Sequence, residues 1–139
     1  MRDFQRGVVY GLKAADGRLL YVGSTTQSLE DRWADHVKTY RKEGARYPGR
    51  KLFQFFATVD LATVTIEPLE AVPCASYDEL LDAERRHILA NETHVNGCNQ
   101  RIAGGRPGSA HVKERAKRLA YHKAYHRRLL EARAQAVTP

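Results

Sequence analysis

The chain has 139 residues, 42% of them hydrophobic and 28% charged, enough for one domain with a core of its own and too few for two ordinary ones. No apolar run approaches the length that spans a bilayer, and the N-terminal MRDFQRG has no apolar signal region, so a cytoplasmic protein is expected and a secreted or membrane protein is not. The net charge of +7 is unevenly placed: residues 109–139 carry eight Lys or Arg against two Glu, while the rest carries fifteen basic against fourteen acidic side chains. A near-neutral body with a cationic arm is a footprint of nucleic-acid binding, with a solvated basic tail as the plainer alternative. The two cysteines, Cys74 and Cys98, lack metal-ligand spacing, and reduced thiols are expected.

Gly7–Leu12 and Arg18–Gly23 are short runs of β-branched and aromatic residues separated by KAADG, whose Asp-Gly pair predicts a hairpin. Ser28 with Asp31 starts a helix from Leu29 to about Lys42, in which Leu29, Trp33, Val37 and Tyr40 recur at helical spacing. Glu43–Gly49, with two glycines and a proline, reads as loop, and the aromatic Lys51–Ala57 as a short helix packed on the core. Thr63–Leu69 reads as a third strand, which Pro68 places at an edge. Ser76 and Glu79 form a capping box that opens a helix running to about Ala90. Asn91–Gly108 is turn-rich, and Ser109–Gln135 has helical composition without one clean apolar face. The expected fold is α+β, a small three-stranded antiparallel sheet flanked by helices. It divides into a body over 1–108 and a basic helical arm over 109–139.

Two strands ending in Tyr-containing triplets, a helix with Arg and a later helix with Glu resemble the GIY-YIG nuclease family, with phage-type and homing-type members as the nearest kind. Val8-Val9-Tyr10 stands at the first triplet and Tyr21-Val22-Gly23, followed by Ser24-Thr25, at the second. Arg32 and His36 match an Arg-x-x-x-His on the first helix, Glu84 in AERRHI matches the later Glu, and Asn99 in NGCNQR the closing Asn. The likeness covers about residues 7–105 and departs from the family in reading Val-Val-Tyr at the first triplet. It implies a metal-dependent endonuclease acting on DNA through Tyr10, Tyr21, Arg32, His36, Glu84 and Asn99. The metal it implies is Mg²⁺ or Mn²⁺, with Glu84 as the expected ligand.

These residue types suit that chemistry. Hydrolysing a phosphodiester needs a nucleophilic water and neutralisation of charge gathering on the phosphate oxygens. Arg32 offers a permanent planar fork for two such oxygens. Glu84 offers a hard oxygen to a divalent cation, which can be held by one carboxylate while keeping several waters. A phenol is a poor base at neutral pH unless nearby cations stabilise its anion. The resemblance favours Tyr10 as general base and Tyr21 as a hydrogen-bonding partner, with the roles exchangeable. His36, one turn after Arg32, reads as proton relay or phosphate contact, and Asn99 as a supporting residue near Glu84 or in the closing turn.

The arm supplies Lys113, Arg115, Lys117, Arg118, Lys123, Arg127 and Arg128 for phosphates, with Tyr121 and Tyr125 as rings that could stack on bases. DNA is the expected partner. RNA as substrate and a monomer or homodimer remain open from sequence.

Overall fold

The structure is a computed structural model and describes residues 3–104 and 110–137. Strand β1 (Val8–Lys13) turns back into β2 (Leu19–Thr25) through the Asp16-Gly17 turn. Gly17 adopts φ +85°, which a glycine reaches without a Cβ penalty, and Asp16 Oδ1 accepts from the Arg18 N–H at 2.9 Å. The third strand, β3 (Thr65–Ala71), pairs antiparallel with β1 alone, giving the order β2-β1-β3. Pro68 lies on this edge at a register shift, with Tyr10 opposite Pro68 and Val9 opposite Glu70. An edge bulge accommodates a residue that has no N–H for the ladder. The strand begins two residues later than the sequence pattern suggests, because Asp60 caps a 3-10 turn over Leu61–Thr63 by accepting from the Ala62 N–H at 3.0 Å.

Strand alternation sorts the side chains to two faces. Tyr10 and Leu12 of β1, with Tyr21 and Ile66, join the aromatic cluster of Leu52, Phe53 and Phe56 from α2 (Lys51–Phe56) and Trp33 and Tyr40 from α1 (Leu29–Glu43). Val9, Val22 and Leu69 pack instead on Ala83 and Ile88 of α3 (Tyr77–Asn91). Both long helices start at the predicted serines. Ser28 Oγ accepts from the Asp31 N–H at 3.1 Å, and Ser76 Oγ from the Glu79 N–H at 3.4 Å. Glu79 closes its capping box one residue further out, on the Ala75 N–H at 2.7 Å. The turn-rich stretch after α3 holds one short helix, α4 (Thr93–Asn96). Beyond it, a side chain at Gly97 would run into the Leu20 carbonyl, and this closeness lets the Cys98 N–H donate to that carbonyl at 2.6 Å. Residues 97–99 therefore run along the outer edge of β2. Cys74 and Cys98 are free thiols.

Helix α5 (Ala110–Val137) rests its first turns on α3. The Arg115 side chain, 2% exposed, pairs with Asp82 at 3.2 Å, Arg118 pairs with Asp78 at 3.2 Å, and Leu119 is buried beside them. Gly104, at φ +76°, lies so close under the Arg115 guanidinium that any Cβ there would collide with it. Arg115, expected among the DNA-facing charges, is thus buried where the arm docks, while Arg118 keeps an exposed side chain beside its surface ion pair. The boundary expected at 108/109 lies outside the described residues. Among the described residues no helix is long and apolar enough to cross a membrane. Arg115→Ala should cost about 2 kcal/mol in urea unfolding, since it strips a buried cation from its carboxylate and leaves a void. Lys117→Ala, at an exposed position of the same helix, should stay within about 0.5 kcal/mol.

Candidate active site

Register and helical spacing bring five polar side chains to one place. Tyr10 comes from the middle of β1, Tyr21 from β2, Arg32 and His36 from successive turns of α1, and Glu84 from α3. Tyr10 is 0% exposed, and its hydroxyl lies 2.7 Å from His36 Nε2 while Arg32 Nε donates to it at 3.1 Å. The His36 ring meets Tyr21 edge-on, with centroids 5.6 Å apart. Tyr21 itself is half-buried and borders open space. Glu84, also half-buried, takes hydrogen bonds from the side chain and backbone of Ser24 at the end of β2.

Burial dominates the electrostatics. It raises the Tyr10 phenol well above its usual value, helped by Tyr21 and opposed by Arg32. Tyr21 is raised by burial and by the charge of Glu84, while Arg32 and Arg50 pull it down. Glu84 is raised by burial and lowered by its Ser24 hydrogen bonds and by Arg32. His36 falls to about 3 through burial, reinforced by Arg32 and Arg50. It is therefore neutral at physiological pH. With Tyr10 held as the phenol and Arg32 donating to its oxygen, the phenolic hydrogen goes to His36 Nε2, which leaves the imidazole proton on Nδ1.

A neutral buried histidine has a signature in acid. Its folded pKa is depressed below the unfolded 6.5, so the unfolded chain takes up the proton first and stability drains away as pH falls from 6.5 towards about 3. The parent should lose more stability between pH 7 and pH 4 than His36→Gln, by a few kcal/mol at most, in urea unfolding at each pH. Glu84 acts in the opposite sense, since protonation relieves its burial, but it is common to both proteins and cancels in the comparison.

Asn99 is buried on the far side of β2. Its Oδ1 accepts from the Val22 N–H at 2.8 Å and its Nδ2 donates to the Val22 carbonyl at 2.9 Å. Both ends of the side-chain amide are spent on the backbone of one residue, Val22, so Asn99 positions the strand that carries Tyr21. Arg50, which the sequence reading passed over, sits at the start of α2, hydrogen-bonds Tyr21 and lies 4.3 Å over the Phe53 ring. It follows a glycine-proline loop and belongs to no motif; its spacing of three from Phe53 was the available signal. Of the arm residues, Lys113, Lys117, Tyr121, Lys123, Tyr125, Arg127 and Arg128 are exposed, and the Tyr121 and Tyr125 rings stack on each other 10° from parallel.

Among the described residues no group of three or more His, Cys, Asp or Glu is gathered for a metal ion. Glu84 alone supplies a hard carboxylate oxygen at this site. A single half-buried carboxylate fits a divalent cation that keeps much of its water shell and takes further oxygens from a phosphate.

An antiparallel hairpin carrying two phenols, against a helix bearing Arg and a second helix bearing Glu, defines a small α+β domain with a polar site between these elements. The family model for the GIY-YIG catalytic domain matches residues 6–71, which supports membership of the GIY-YIG nuclease superfamily. The match ends with β3, so Glu84 and Asn99 join the site through the geometry of the later elements. No curated protein and no solved structure matches the chain. GIY-YIG domains are of nuclease type and in general depend on divalent metal.

Proposed function

We propose that the chain is a divalent-metal-dependent endonuclease that hydrolyses phosphodiester bonds of DNA, using Mg²⁺ or Mn²⁺. The observation that carries this reading is the convergence of Tyr21, Arg32 and Glu84 within reach of one another's charge. Arg32 clamps the non-bridging oxygens of the scissile phosphate. Glu84 holds the cation. When bound there, the ion supplies positive charge to the phosphate oxygens and cancels the Glu84 charge that holds the Tyr21 phenol up.

Tyr21, having lost its own proton to solvent with Arg32 and Arg50 favouring the anion, then takes the proton of the attacking water. The water oxygen bonds to phosphorus as the P–O bond to the leaving sugar oxygen breaks, and that oxygen takes a proton from solvent. Tyr21 is preferred to Tyr10 because it borders open space, whereas the Tyr10 hydroxyl is buried between His36 and Arg32. Tyr10 and His36 orient Arg32 and the Tyr21 ring. Residues 1–108 form the catalytic body and 109–139 the arm, whose exposed cations from Lys113 to Arg128 and stacked tyrosines add affinity for the DNA backbone.

Incubating the protein with single-stranded, nicked, branched and duplex DNA, with Mg²⁺ and with chelator, tests the proposal. Metal-dependent cutting of at least one form is expected, and binding without cutting of any form would overturn it in favour of a non-catalytic DNA-binding module. Tyr21→Phe should lower the single-turnover rate at least about 100-fold, and Tyr10→Phe by less. The reverse order would return the base to Tyr10.

A further inference from the structure

Two clefts flank the active site, and their charges differ in sign. One, of about 870 Å³, has Arg32 on its wall and is bordered by Asp3, Asp31 and Asp35 against Arg6 and Arg32. The other, of about 750 Å³, has Tyr21 on its wall and is bordered by Arg46, Arg50 and Arg101 against Glu43. Among the described residues none of these three arginines is in an ion pair. Tyr47 stands at the same cleft with 48% of its surface exposed, beside Pro48. The size is that of a pocket for small molecules, suited to nucleotide-sized groups.

Two glutamines hold the wall of this cleft in place. Gln100 accepts from the Lys51 N–H at 3.1 Å and donates to the Gly49 carbonyl at 3.0 Å, while Gln54 donates to the Pro48 carbonyl at 2.7 Å. These two glutamines brace the loop that carries Arg46, Tyr47 and Arg50 from both sides. Three guanidinium groups outside any ion pair, an exposed ring and a recess of nucleotide size, all beside Tyr21, are the parts of a single-strand platform: charge for the backbone and a face for a base.

We propose that this second cleft binds an unpaired DNA strand and leads it to the active site, with backbone phosphates on Arg46, Arg50 and Arg101 and a base on Tyr47. This deepens the nuclease reading and rests on it, naming DNA with an unpaired arm as the preferred substrate.

The test is fluorescence-polarisation binding in the presence of chelator, using labelled blunt duplex DNA and the same duplex extended by an unpaired arm. Arg46→Gln with Arg101→Gln should weaken binding of the armed probe about tenfold and lower its salt slope by about 1, leaving the blunt probe within about twofold. Tyr47→Ala should weaken the armed probe about tenfold, and Tyr47→Phe should restore it. Equal losses on both probes would make the cleft a duplex contact, and no loss on either would remove it from the interface; each result overturns the proposal. Cutting by the parent with Mg²⁺ is scored separately. If the parent cuts neither probe, nor any other DNA form, the nuclease reading has failed; if it cuts and the variants bind the armed probe as it does, only the cleft proposal has failed.

Discussion

Glu84→Gln is expected to abolish cutting and at the same time to make the protein more stable. The carboxylate is half-buried, and burial is the largest influence on it, raising its pKa. A carboxylate whose folded pKa is raised costs the fold stability at neutral pH, and recovers it as pH falls through the folded value. The amide has the same shape without the charge, so a gain of about 1 kcal/mol, or a few degrees in Tm, is expected at pH 7 and should shrink in acid. The same charge is the proposed anchor for the cation, and its loss should lower the cleavage rate by at least about 10³-fold. Mg²⁺ should raise the Tm of the parent by mass action and leave that of Glu84→Gln unmoved. A variant that cuts like the parent, or whose Tm still responds to Mg²⁺ in full, would sink the assignment of Glu84.

Gly23→Ala should do comparable damage without touching any reacting group. The β1–β2 register sets Gly23 opposite Tyr10, and a Cβ there would stand 2.5 Å from the Tyr10 hydroxyl oxygen and 2.6 Å from the ring carbon bearing it. The ring has nowhere to go, being fully buried in the cluster with Leu12, Leu52 and Phe56. Any shift of the hydroxyl breaks its 2.7 Å contact with His36 and its 3.1 Å bond from Arg32. Overpacking at such a rigid point should cost about 3 kcal/mol in urea unfolding. The cleavage rate should fall about 100-fold, because Arg32 would no longer be aimed by Tyr10. Gly49→Ala, where a Cβ meets nothing within 4 Å, should leave stability within about 0.5 kcal/mol. A Gly23→Ala protein as stable as the parent would mean that the strands slide to make room, and that Tyr10 does not depend on this contact.

Much of the fold was legible because the local signals agreed with one another. The Asp16-Gly17 turn, the serine caps at Ser28 and Ser76 and the proline on the third strand each have a local physical cause. Each strand and helix that was expected formed within two residues of its expected limits, while the short helix over Thr93–Asn96 was not foreseen. The aromatic run at 51–57 announced a helix against the core, and the same residues fill it. Local pattern was weaker where partners are remote. Nothing near Asn99 in sequence says that it grips Val22, 77 residues away, and nothing near Arg50 says that it reaches Tyr21. The buried residue of α1 is His36, from outside the apolar stripe, because a hydroxyl from β1 waits for it there.

By itself, the sequence determined which chemical groups this protein has: two phenols on a hairpin, an Arg and a His one helical turn apart, a Glu on a capped helix and an excess of charge at its end. These are matters of residue type and short spacing, which depend on backbone periodicity alone. Tertiary structure alone decided how those groups divide the work. Packing between sheet and helices sealed Tyr10 against His36 and left Tyr21 beside open space. Docking of α5 on α3 likewise buried Arg115 against Asp82 and took it out of the pool of free charge. Burial and pairing are properties of neighbours, and the neighbours here come from distant stretches of chain.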